Sequence, residues 1–189
     1  MRRGLKAQAE KAAATARTVL RVAPLSPLDP WAYAKYLGLV VLDFNTLGLS
    51  KAATRQLLTV DNESWSAMTL KEGETTAIIV NPGHKITRQR SNLMHEIAHF
   101  ELKHLPSRVE VSKNTGMLLL SDYSDDHESE ADWHGAALLL PRIALTHHQA
   151  RRKTISEIAA LYGVSDPLCE WRLRMTGVDI QLRRSQGAT

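Results

Sequence analysis

Cysteine is almost missing: Cys169 stands alone in 189 residues. One thiol cannot close an internal disulfide or build a thiolate cluster, so any bound metal must rest on His, Asp or Glu. Aromatic residues are scarce at 5%, and no apolar run approaches the roughly 20 residues that a membrane-spanning helix requires. No segment is expected to cross a bilayer. The N-terminal stretch is basic and Ala-rich but lacks the apolar segment and cleavage pattern of a secretory peptide. With the lone thiol, this predicts a cytoplasmic address. There is no acidic excess either. The 24 Lys and Arg against 20 Asp and Glu give a formal charge of +4, compatible with a nucleic-acid contact or with a solvated surface.

What is present suits one domain: 43% of the residues are hydrophobic, enough for a single well-buried core. Residues 5–21 predict an Ala-rich helix with Leu5, Ala12, Ala16, Val19 and Leu20 on one face, halted by Pro24, Pro27 and Pro30. A short helix over 31–37 ends at Gly38, and the apolar run 39–42 suits a buried strand. Residues 64–70 and 76–80 predict a hairpin, turning at Lys71-Glu72-Gly73-Glu74. From Thr87 a helix is expected to run to the stop at Pro106. Residues 113–126 look irregular apart from the apolar 117–120, and Asp125 or Asp126 can cap the next helix, which runs to about Leu140. A last helical pair spans 154–162 and 166–175, joined at Gly163.

The chemistry is concentrated in His95-Glu96-Ile97-Ala98-His99, an HExxH pattern. Residues four apart share a helix face, so both imidazoles can reach one ion. Glu96 then stands beside the metal as a general base, taking a proton from water whose pKa the ion lowers. The motif lies mid-helix among Leu93, Met94 and Phe100. Two imidazoles in an apolar stripe fit a metal site better than they fit a casual surface.

A catalytic zinc needs a third protein ligand. The metzincin extension is excluded, because Leu102 and Leu105 stand where Gly and His are required and His104 is one residue out of register. The later helix offers Glu128 and Glu130, which are turned about 200° apart. Glu128 is preferred, because Asp132 then lies one turn further on the same face and can accept the outer N–H of a ligating histidine. Glu130 is expected at the surface or in helix pairing, and choosing it as the ligand would put His134 in the place of Asp132. Tyr123 or His127 can donate to an oxyanion. Zinc is preferred, although two imidazoles and one carboxylate also accept Mn2+ or Fe2+.

Three stretches, MHEIAHFELKH at 94–104, ESEADWHGAALLLP at 128–141 and the strand-rich segment ending in IIVNP at 78–82, resemble the ImmA/IrrE family of metallo-endopeptidases. The likeness runs from about residue 5 to 175. It departs from the commonest family pattern at Asp132, where Asn is frequent, and at Trp133-His134, where small or apolar residues are usual. The resemblance implies an α+β, zincin-like fold with a small sheet or hairpin packed on a metal-binding helix pair. It would comprise a metallopeptidase domain over 1–145 and a helical, helix-turn-helix-like extension over 146–189 packed on it. It also implies a zinc site of His95, His99 and Glu128, Glu96 as catalytic residue, and a specific cytoplasmic protein as substrate, such as a helix-turn-helix transcriptional repressor.

Three features carry competing readings. The strand at 76–80 just before the metal helix can offer an edge to an extended peptide or pair only internally. His147-His148, beside Arg151-Arg152-Lys153, reads as a solvated turn, and His104 as a helix-terminal residue favoured by the dipole. The helical pair at 154–175, with Arg172 and Arg174 on its second helix, supports an alternative: a DNA-binding regulator whose metal site is structural or degenerate. Pro167 and Trp171 on that helix suit packing better than groove reading.

Overall fold

Hydroxyl and carboxylate caps set the helix starts in the computed structural model, which describes residues 2–104, 108–111, 118–121 and 124–181. Asp29, Ser50, Ser124, Thr154 and Ser165 each accept a backbone N–H that has no partner within its helix. The chain runs α1 (Leu5–Val19), α2 (Pro30–Tyr36), β1 (Val40–Leu42), a 3-10 turn (Phe44–Leu47) and α3 (Lys51–Arg55), which widens into a π-helical turn (Gln56–Val60). Then come β2 (Ala67–Glu72), β3 (Thr75–Val80), α4 (Ile86–Leu102), β4 (Arg108–Val111), β5 (Leu118–Ser121) and α5 (Asp125–Leu139). The last elements are α6 (Arg142–Ala150), α7 (Ile155–Tyr162) and α8 (Asp166–Thr176). The fold is α+β, as expected.

The sheet has the order β1-β3-β2, with β1 parallel and β2 antiparallel to β3. β3 is therefore central and pairs on both sides, so it offers no edge to a peptide; the second edge of the hairpin belongs to β2. β1 is an outer strand with Val40 exposed rather than the buried strand that its apolar run predicts. The apolar run set apart from the irregular segment falls on β5, which pairs antiparallel with β4. Ser124 caps α5 in place of Asp125 or Asp126, accepting from the His127 backbone N–H.

Ile78, Leu93, Met94 and Ile97 from β3 and α4 share one core with Leu138 to Leu140, Ile158 and Leu173. Each such aliphatic side chain contributes about 1.5–3 kcal/mol when removed from water. α1 packs on α5, and its fully buried face carries Leu5, Ala9, Ala13 and Ala16, whereas Ala12 and Val19 are only partly buried against the core.

Two buried arginines close the C-terminus of α5. Arg17 donates to the carbonyls of Leu138 and Leu139, and Arg172 Nε donates to that of Leu140 at 3.0 Å. These carbonyls lie beyond the helix's own donors and at the negative end of its dipole, so cations satisfy them where water cannot reach. Arg172 also pairs with Glu10 at 2.5 Å. It is fully buried, and it cannot read a DNA groove from that position. Trp171 meets Trp133 edge to face, with ring centroids 5.3 Å apart, so the second helix of the pair packs inward. Among the described residues no helix is long and apolar enough to cross a membrane.

Candidate metal centre

The apolar stripe of α4, formed by Leu93, Met94, Ile97, Ala98 and Leu102, is buried and fixes the rotation of the helix. His95, Glu96 and His99 consequently lie at the border between the core and solvent. α5 crosses α4 where Gly135 meets Met94: a Cβ on Gly135 would stand 3.0 Å from the Met94 carbonyl oxygen. One turn towards the α5 N-terminus is Asp132, and one turn further is Glu128.

This crossing brings together His95, His99 and Glu128. The two Nε2 atoms are 3.0 Å apart, His95 Nε2 is 3.1 Å from Glu128 Oε2, and His99 Nε2 is 3.5 Å from Glu128 Oε1. A tetrahedron with ligand bonds of about 2.0–2.1 Å has edges of about 3.3 Å. The donor triangle therefore has the size of one face of a tetrahedral zinc site. Its chemistry fits as well, since two imidazole lone pairs and a carboxylate converge on one point and the group can hold a metal ion.

The flanking contacts orient these donors. His95 Nδ1 lies 2.9 Å from Asp132 Oδ1, which reserves Nε2 for the centre. Burial lowers the His95 pKa, but the Asp132 hydrogen bond and the charges of Glu96 and Glu128 outweigh it and leave the value above normal. Burial and the neighbouring His95 hold His99 below normal. One imidazole of the pair is thus favoured neutral, the form in which it can serve as a ligand.

Glu96 reaches β2, where Thr69 donates its hydroxyl to Glu96 Oε2 at 2.5 Å. Nothing in the sequence singled out Thr69. Its position opposite Glu96 depends on the register of β2 against β3, in which Thr69 pairs with Ile78.

The remaining candidates take unforeseen places. Glu130 is buried at 5% exposure rather than at the surface, and it accepts from the Arg2 backbone N–H at 2.7 Å. His104 lies two residues past the end of α4 rather than on its last turn, and His127 stacks on its ring with centroids 4.2 Å apart. Burial, with His127 and His99 nearby, lowers the His104 pKa. His134 contacts Glu101 at 2.8 Å and takes no part in the triangle. His147 and His148 lie on α6 rather than in a solvated turn, and His148 is buried. Tyr123 lies outside the described residues.

A family model described as an M78 peptidase, IrrE N-terminal-like domain, matches residues 36–173. No curated protein matches the chain.

Proposed function

From the premise that the chain belongs to the IrrE N-terminal-like family of M78 peptidases, we propose that it is a zinc-dependent metallo-endopeptidase acting on a specific cytoplasmic protein. The family supports a metallopeptidase-type function. The donor triangle of His95, His99 and Glu128 carries the finer reading.

Zinc held by these three residues would supply Lewis acidity, polarising the scissile carbonyl and lowering the pKa of water towards neutrality; Mn2+ or Fe2+ fit the same donors less specifically. The protein's own part is proton movement and orientation. Glu96 takes a proton from the attacking water and returns it to the leaving amine. The Thr69 hydroxyl fixes one Glu96 oxygen and leaves the other for water. Asp132 keeps His95 in the ligating tautomer.

The substrate reading is coarser. The outer edge of β2 runs beside Glu96, where an extended backbone can add as a further strand. A helix-turn-helix repressor is the substrate that the sequence resemblance suggests, cleaved in a segment able to lie extended.

The test pairs metal content with hydrolysis. Purified wild type should carry about one zinc per chain, while His99→Ala and Glu128→Ala lose it. Glu96→Gln should keep the zinc and lose cleavage of a candidate repressor by at least about 100-fold. Wild type that takes up no metal after zinc is supplied would sink the proposal.

A further inference from the structure

A chain of polar contacts lies on the far side of His99, and its members come from three separate places in the sequence. α4 stops at Leu102, and Lys103 adopts a left-handed conformation with φ 58°. A lysine gains nothing locally from that conformation, which non-glycine residues seldom adopt. Its consequence is that the chain doubles back: the His104 backbone N–H donates to the His99 carbonyl at 3.0 Å. The His104 ring is thereby set against His99, with the two Nδ1 atoms 3.1 Å apart.

Two nitrogens at that distance share one proton, and the surroundings decide which carries it. His104 Nε2 is buried and has no hydrogen bond among the described residues. The group facing it is Glu130 Oε2 at 3.4 Å, in a contact where both side chains are about 5% exposed. A carboxylate can only accept, so it places the His104 proton on Nε2. His104 Nδ1 is then a lone pair, His99 Nδ1 must carry the proton between them, and His99 Nε2 is left as a lone pair pointing into the donor triangle. Glu130 is fixed in turn by Arg2, through the backbone N–H at 2.7 Å and Nε at 3.0 Å. The His127 ring, stacked within 12° of parallel, fixes the plane of His104.

We propose that His104 and Glu130 are positioning residues for the metal centre, holding His99 in its ligating tautomer as Asp132 holds His95. The inference rests on the metal-centre reading above. Glu130, the alternative third ligand, acts at two residues' remove from the ion, through His104 and His99. Arg2, from the other end of the chain, anchors it.

Chelator competition on the purified full chain tests this directly, with zinc affinity and the visible spectrum of the Co2+ form as readouts. Outer partners of ligating histidines typically contribute 10- to 100-fold in affinity. His104→Phe, which keeps the stacked ring but removes both nitrogens, should weaken zinc binding by about that factor and shift the Co2+ bands. His104→Gln, whose side-chain oxygen can accept from His99 Nδ1, should recover most of the loss. Glu130→Gln should weaken binding in the same direction by less. Thermal melts of the metal-free variants separate loss of fold from loss of tautomer control. Affinities within twofold of wild type in all three variants overturn the inference while leaving the metal centre standing. So does a His104→Gln variant as weak as His104→Phe with an unchanged melt. Failure of wild type itself to bind zinc or cobalt removes the metal-centre reading and this inference with it.

Discussion

His95 Nδ1 and Asp132 Oδ1 stand 2.9 Å apart, joining α4 to α5 just outside the donor triangle. The Asp132 side chain is 67% exposed, so its charge is screened and adds little to stability by itself. Its effect should instead appear in the metal affinity of His95. Asp132→Ala is expected to weaken zinc binding by about 10- to 100-fold with little change in the metal-free melting temperature. Asp132→Asn, which keeps an acceptor oxygen, should stay within a few-fold of wild type. Chelator competition distinguishes them, and equal affinities for Ala and wild type would show that His95 needs no outer partner.

Thr69 and Glu96 make a second relationship across elements, and it predicts a kinetic effect without a binding effect. Removing one hydrogen bond to a charged group costs about 1.5–3 kcal/mol where that bond is needed, and Thr69 is only partly buried. Thr69→Val should lower kcat by about tenfold and leave zinc content and KM near wild type. A rise in KM at constant kcat would instead assign Thr69 to substrate contact on the β2 edge.

The HExxH register and the alignment of Asp132 with Glu128 were legible in the sequence because both follow from one rule, that residues four apart share a helix face. Periodicity also located α1, α4, α5 and the β2–β3 hairpin to within a few residues. What stayed hidden depends on contacts between distant segments or on single dihedral angles. Glu130 looks like any helical surface glutamate until Arg2 arrives from 128 residues away. His104 faces His99 because of the left-handed Lys103, for which the sequence carries no glycine signal. Arg172 looked basic and available, yet Leu140 and Glu10 consume it. β4 was not legible because its four residues are too few to show alternation.

Gly135 governs how near α5 comes to α4. Gly135→Ala places a methyl 3.0 Å from the Met94 carbonyl oxygen, with the Met94 carbonyl carbon and the His95 nitrogen at 3.2 and 3.3 Å. These are backbone atoms in mid-helix and cannot rotate aside. Overpacking of this kind costs about 1–3 kcal/mol, and relief requires the helices to separate. The separation carries Glu128 away from His95 and His99. The variant should therefore melt at a lower temperature and also bind zinc more weakly, even at temperatures where it remains folded. A lower melting temperature with undiminished zinc affinity would mean that α5 yields at Gly135 without moving its first turn.

His148 offers a pH test remote from the metal centre. Tyr162 donates its hydroxyl proton to the Leu25 carbonyl, so its oxygen can only accept from His148 Nε2, 3.3 Å away. His148 Nδ1 is buried with no hydrogen-bond partner among the described residues. Protonation would put an unsatisfied N–H and a charge in that place, near Lys153, Arg151 and His147. Burial foremost, then those charges, hold the folded pKa below normal. The unfolded chain, titrating near the usual value of about 6.5, therefore binds the proton more readily. The stability contributed by the neutral ring is present above that value and is lost as the pH falls through it towards the folded pKa. His148→Phe removes this share and does not strand Tyr162, whose proton stays on Leu25. Melting curves between about pH 7.5 and 5 should fall less steeply for the variant than for wild type. Parallel curves would mean that His148 takes up its proton in the folded state as easily as in water.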